Sequence, residues 1–214
     1  MPSKEYFEKT EKSRGLDTVM SIFDIAEEDF EDGKTLDIGS GNSVLAQDLH
    51  NTGSVLSIDR YFKPNMSQRR HFYSEEALDG AKDKFVYANS GAIPYKGGTF
   101  RRVIDLFTTP YYAETEEQTT ESIKEMLRVL EGGGSLYIYP VIDIFSNAPH
   151  DDFLDDSQQF PFRNRDRFES VLSKVLESSE GFYQVEFKEK EPPGRKERTR
   201  EGVRWYRVIV TKKE

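Results

Sequence analysis

The stretch Thr35-Leu36-Asp37-Ile38-Gly39-Ser40-Gly41-Asn42-Ser43 decides the fold. It is a short apolar run carrying one acid, and it opens directly into glycines. A β-strand that ends in glycines and feeds a helix lets a ligand approach the backbone closely, because glycine has no Cβ and tolerates positive φ. Asp37 sets the sign of that ligand. A carboxylate at the carboxyl end of a strand repels a pyrophosphate and attracts a cationic amine. Ser54 to Ile58 (SVLSI) reads as a second apolar strand closed by Asp59, 18 residues after Gly41. An acid at that distance can accept both hydroxyls of a ribose. The spacing also suits a nicotinamide dinucleotide, but G-x-G-x-x-G requires a third glycine where Val44 stands.

Two further segments extend the pattern. Phe85 to Phe107 contains a strand, a loop with Asn89-Ser90 and Ile93-Pro94-Tyr95, and a second strand. Glu125 to Pro140 gives the end of a helix, stopped by the glycines Gly132 to Gly134, and another strand, expected over Leu136 to Val141. Ile123, Met126, Leu127 and Leu130 keep helical spacing, and Thr115 with Gln118 forms a possible capping box upstream. Taken together, about residues 34 to 141 resemble class I S-adenosylmethionine-dependent methyltransferases. Three positions depart from that family's usual pattern: Ser43 at the last glycine, Asn89 at an aspartate, and Arg101 at another aspartate.

The resemblance implies an α/β fold, doubly wound, with a seven-stranded mostly parallel sheet, helices on both faces and an antiparallel C-terminal strand hairpin. It implies S-adenosyl-L-methionine as cofactor, held by Asp37, Gly39, Ser40, Gly41, Asp59, Arg60, Asn89, Ser90 and Asp105. Asn89 can still accept from an adenine amino group through its side-chain carbonyl. Arg60, Tyr61 or Phe62 can cover one face of the adenine. The acceptor is expected to be a small molecule or a protein side chain. The Asn/Asp-Pro-Pro-aromatic motif of amino-group methylases is missing, since Leu106 and Phe107 follow Asp105. Asp105, Tyr111 and His150 are candidate bases by position alone, so the catalytic residue is left unassigned. The alternatives are a non-catalytic protein that keeps the fold and, less favoured, a nicotinamide-dependent oxidoreductase.

Composition narrows the remaining classes. With 214 residues the chain fits a single domain, and its charged content of 32% against 36% hydrophobic makes a soluble, polar protein the expectation. No apolar run reaches the ~20 residues of a membrane span, and the N-terminus lacks a signal-peptide core, so the cytoplasm is the expected location. The absence of cysteine excludes disulfides and thiolate metal sites. His50, His71 and His150 are scattered, and no metal is expected. A net charge of −9 argues against broad nucleic-acid binding. The local exception is Arg195, Lys196, Arg198, Arg200, Arg204 and Arg207, read as a solvated hairpin tip or as a clamp for a phosphate-bearing substrate. His150 and the acids Asp151, Asp152, Asp155 and Asp156 read as a solvated loop, with a role toward a cationic acceptor as the sharper option.

The flanks complete a single-domain reading: an N-terminal helical cap over 1–30, a cofactor core over 34–141, a substrate-side loop over 142–165, and a C-terminal helix and hairpin over 166–214. Residues 4–28 are expected to be helical, with Leu16, Val19, Met20 and Phe23 on one stripe and Gly15 a potential break. Phe168, Val171, Leu172, Val175 and Leu176 mark the late helix. Tyr183, Val185 and Phe187 alternate with polar residues as an edge strand does, and VRWYRVIV reads as an interior strand beside it.

Overall fold

The computed structural model describes residues 15–40, 45–49, 55–59, 84–113, 115–144, 164–179, 181–190 and 203–214. Seven strands form one sheet in the order β3-β2-β1-β4-β5-β7-β6. Five of them, β1 (Thr35–Ile38), β2 (Val55–Asp59), β3 (Phe85–Tyr87), β4 (Phe100–Leu106) and β5 (Leu130–Ile144), are mutually parallel. β7 (Val203–Lys212) lies antiparallel between β5 and the edge strand β6 (Tyr183–Glu189). Strand order therefore reverses between β1 and β4, the place where sheets of this kind open a crevice at their carboxyl ends.

Both faces of the sheet are covered. On one, Leu36, Ile38, Ile58, Val103, Leu136, Ile138 and Val208 pack against α4 (Glu116–Val129) and α5 (Arg165–Ser178). α5 buries Phe168, Val171, Leu172 and Val175 there, worth about 2 kcal/mol each before ordering costs. On the other face, Ile104, Leu106, Tyr137 and Tyr139 meet Leu16, Val19, Ile22 and Phe23 of α1 (Leu16–Phe23), together with Phe30 and Leu45. Leu45 opens α2 (Leu45–Asp48), and a one-turn helix α3 (Thr109–Tyr112) follows β4. No helix among the described residues is long and apolar enough to cross a membrane.

Three boundaries differ from the sequence reading. α1 stops at Phe23 because Asp24 takes a left-handed conformation with φ 53°, and a separate 3₁₀ turn follows over Glu27–Phe30. α4 stops at Val129, so Leu130 starts β5 instead of ending the helix. The last carbonyls of α4 are taken by the chain entering β4: Gly98 N–H donates to Arg128 O at 3.0 Å and Thr99 N–H to Val129 O at 2.8 Å. With those acceptors satisfied, the glycines at 132–134 serve the start of a strand and not a helix cap. The capping position upstream is as expected, with Thr115 Oγ1 accepting from Gln118 N–H at 3.2 Å.

Arg207, expected on a solvated hairpin tip, is instead built into the core, with a side chain only 5% exposed. Its Nη1 donates to Ile22 O at 3.0 Å and pairs with Asp24 at 2.7 Å, while Nη2 pairs with Glu186 at 3.1 Å. The end of α1 presents carbonyls and negative partial charge, and a guanidinium fork answers both. Lys190 and Lys188 also reach Asp24, at 2.7 and 3.2 Å. Of the other basic residues in that run, Arg204 is exposed beside Glu189, and those at 195–200 lie outside the described residues.

Asp24 thus ties the N-terminal helix to the C-terminal hairpin. The Lys190 hydrogen bond, with help from Lys188 and Arg207, holds its carboxyl well below the usual carboxylate range. A depressed folded-state value stabilises the fold above the unfolded value of about 3.9 and loses that stabilisation as pH falls toward the folded one. Asp24→Asn should lower the folding free energy at pH 7 by on the order of 1 kcal/mol, the site being partly solvent-screened, and Tm should fall with it. The Tm gap to wild type should close as the pH of the melt is taken below about 4; a pH-independent gap would contradict this assignment.

Candidate functional site

The carboxyl rim at the β1/β4 reversal gathers most of the residues singled out in the sequence. Ile38 stands opposite Ile58 on β2 and Asp105 on β4, and Asp59 stands opposite Tyr87 on β3. Asp37 and Asp59 are 3% and 7% exposed. Their positions alternate with Leu36, Ile38 and Ile58, so both carboxylates belong to the α1 side of the sheet. Two acids on one face of one rim favour ligands that bring positive charge or hydroxyl donors. Gly41 and Arg60 lie outside the described residues, as do Ser43, Val44, Tyr61, Phe62, the three histidines and Asp151 to Asp156.

Beyond β1 the backbone reverses at Gly39, whose φ is +59°. A Cβ there would lie 2.8 Å from Thr108 Cβ and closer still to that residue's outer atoms. Glycine is required on both counts. The next residue, Ser40, is buried, and its N–H donates to Ile58 O at 3.1 Å, which folds the turn back over β2.

Asn89 and Ser90 begin the loop after β3. The Asn89 side-chain carbonyl accepts from Gly91 N–H at 3.1 Å, closing an Asx-type turn with a bridge to Ala92, and Ser90 Oγ lies 3.5 Å from the same oxygen. Ser90 Oγ meets Ser122 Oγ of α4 at 2.8 Å. The loop is then clamped by a pair the sequence reading missed. Glu125 accepts from Ile93 N–H at 3.0 Å, and Arg128 donates to Ile93 O at 2.9 Å and Tyr95 O at 2.8 Å. Arg128 and the Ile93 N–H together pull the Glu125 carboxyl below its ordinary range. The i, i+3 spacing of Glu125 and Arg128 is visible in sequence, but the spacing does not reveal what they hold.

The turn from β4 to α3 places Asp105 differently from expectation. Asp105 alternates with Ile104 and Leu106, which face α1, so it belongs to the opposite face from Asp37 and Asp59. It is 0% exposed and accepts from Thr109 N–H at 3.0 and 3.3 Å, fastening the start of α3. Its carboxylate organises the turn, and neither a cofactor contact nor a base follows from that position.

Between them, Phe107 adopts φ 59°, unusual for a residue with a side chain and costing roughly 1–2 kcal/mol. Phe107 N–H donates to Tyr139 O at 2.6 Å. Thr108 Oγ1 donates to Ile38 O at 3.0 Å, crossing from β4 to the end of β1. Phe107 packs edge-on against Tyr139 at 5.4 Å, and Tyr139 stacks on Trp205 at 6.3 Å, so an aromatic row runs along this rim from the glycine turn toward β7. Thr108 and Trp205 carried no signal in the sequence. Tyr111 and Tyr112 fall in α3. No group of acids and histidines suited to a metal occurs among the described residues.

No protein-family model matches the chain, and no curated protein does. Solved structures do. The Haloferax volcanii protein determined in complex with the Trm112 methyltransferase activator superposes with a TM-score of 0.61 at 13% identity, over 99% of this chain and 95% of that one. A Thermotoga maritima SAM-dependent methyltransferase gives 0.55 at 14% identity, over 98% and 94%. Phosphoethanolamine N-methyltransferase 2 of Haemonchus contortus, bound to S-adenosyl-L-methionine, gives 0.56 at 14% identity, over 85% of this chain and 49% of that one. Strand order, the inserted antiparallel β7 and these superpositions agree: the chain has the fold of class I S-adenosylmethionine-dependent methyltransferases.

Proposed function

We propose that the protein is an S-adenosylmethionine-dependent methyltransferase that acts on a small molecule or a protein side chain. The observation that carries this reading is the pairing of a glycine turn with two buried acids, Asp37 and Asp59, on one face of the rim where this fold reverses. The residues fit the group. Asp37 would attract the cationic amine of the methionine part, and the turn that Gly39 makes, with Ser40 and Gly41, would let the backbone approach the ligand. Asp59 would accept the ribose hydroxyls, with Arg60 beside it. Asn89 and Ser90 would meet the adenine through the side-chain carbonyl and a backbone N–H. Asp105 is not in this set, because its carboxylate serves Thr109.

Bound there, the cofactor supplies an electrophilic methyl on a sulfonium whose departure needs no proton. What the chain must do is align the acceptor and keep water out, which in well-oriented systems is worth several kcal/mol. The glycine turn would fix the donor side, and the Phe107–Tyr139–Trp205 contacts stiffen the strand ends beside it. A general base is required only for an acceptor that must lose its proton before attack.

Isothermal titration with S-adenosylmethionine, S-adenosylhomocysteine and NAD tests the reading. Micromolar binding of the first two and none of NAD is the expected result, with Asp59→Ala weakening it roughly 10- to 100-fold, as loss of charged hydrogen bonds predicts. Binding of NAD alone would favour the oxidoreductase alternative. Tight cofactor binding without methyl release to any acceptor in a broad screen would favour a non-catalytic role.

Gly39→Ala provides a second check. A methyl group at φ +59° and against Thr108 should cost about 2 kcal/mol or more of stability and abolish cofactor binding. Retention of wild-type affinity by that variant would place the ligand elsewhere.

A further inference from the structure

The proposed cofactor contacts leave one well-placed side chain without a role. Thr108 belongs to the turn after β4, yet its hydroxyl serves the end of β1. Three carbonyls lie within reach of Oγ1: Ile38 at 3.0 Å, Leu106 at 3.3 Å and Gly39 at 3.4 Å. A hydroxyl has one proton to donate, and the shortest contact assigns it to Ile38. The neighbouring Phe107 N–H is committed elsewhere, to Tyr139 O, so the link from this turn back to Ile38 is a side chain and not a further rung of the ladder.

The position of that side chain is over-determined. Phe107 is held in a left-handed conformation, Thr108 itself has φ −122° and ψ −87°, outside the common basins, and Thr109 N–H is fixed by the Asp105 carboxylate. Strained backbone persists where the surroundings hold it, and such places gather at functional sites. Here the strain has a geometric product: it delivers the Thr108 side chain into the space that Gly39 leaves by having no Cβ. From the opposite side the same turn is fastened by Ser40 N–H on Ile58 O at 3.1 Å. The glycine turn is thus gripped from β2 through the backbone and from β4 through one hydroxyl.

We infer that Thr108 is a positioning residue: by donating to Ile38 O it sets the glycine turn in the geometry that receives the methyl donor, and it locks that turn to the strained turn after β4. The inference rests on the cofactor reading above. It makes Thr108 act through Ile38 and Gly39 and asks for no contact of its own with substrate.

The decisive comparison is Thr108→Val, which keeps the branched shape and removes the proton donor, against Thr108→Ser, which keeps the donor and removes the methyl group. Affinity for S-adenosylhomocysteine by titration and amide exchange of Gly39 and Ser40 in the ligand-free protein are the two readouts, with Tm checked for each variant. Thr108→Val should bind roughly tenfold more weakly, as expected for one lost hydrogen bond, and should exchange faster at Gly39 and Ser40. Thr108→Ser should restore both toward wild type. If the valine variant fails to fold, Thr108→Ala replaces it in the same comparison.

Wild-type affinity in the valine variant, or an equal loss in the serine variant, would overturn the inference, the second result assigning the effect to packing. Should the wild-type protein bind no S-adenosylhomocysteine, the cofactor reading falls and this inference with it. A binding wild type with an unmoved valine variant removes the inference alone.

Discussion

Two loops must meet where the strand order reverses, and the room for that meeting is what Gly39 lacks. Its missing Cβ leaves the volume that Thr108 fills, and its positive φ reverses the chain so that Ser40 folds back toward β2. The rest of the rim follows from this one close approach. Thr108 can reach Ile38 only if the end of β1 carries no side chain at that point, and the Ser40–Ile58 and Phe107–Tyr139 bonds fasten the two loops on either side of that contact. A rigid sheet thereby presents its variable loops in fixed relation, which is the usual division of labour between scaffold and site.

How much of this can be read in the amino-acid chain depends on how local each determinant is. The strands follow from short apolar runs and turn residues, their arrangement in one sheet only from the family resemblance, and the edge character of β6 from the strict alternation of Tyr183, Val185 and Phe187 with polar neighbours. Asp37 and Asp59 are legible because each stands at the end of such a run. The face on which Asp105 lies is not legible. Its strand, Val103 to Leu106, is apolar on both sides of it, so alternation gives no direction and only the packing of α1 and α4 decides. Arg207 is a clearer case still: its acceptor Ile22 is 185 residues away, and nothing near Arg207 distinguishes a buried fork from a solvated one. The end of α4 escaped for a similar reason, since the donors that satisfy it come from Gly98 and Thr99 on another segment.

Superposition on methyltransferases at 13–14% identity carries a physical lesson of its own. What such distant chains hold in common is a backbone path and a pattern of burial, and neither needs particular side chains at most positions. The same tolerance explains how Asn89 can stand where an aspartate is usual. The loop it opens is held by Ser122, Glu125 and Arg128 of the neighbouring helix, and the Asn89 carbonyl closes its turn on Gly91 N–H, an acceptor role that an aspartate oxygen fills equally well.

The position of β7 bears on how the polypeptide assembles as it is made. This strand follows β6 in the chain but lies between β5 and β6 in the sheet. On a ribosome, β6 emerges with no partner to pair with, because the strand it needs has not been synthesised. Parallel pairing of β1 to β5 can proceed while the chain grows, whereas the final third of the sheet closes in one late step when residues 203–212 are released. The same step delivers Arg207 to the end of α1, a helix whose apolar face already has its partners in β4 and β5.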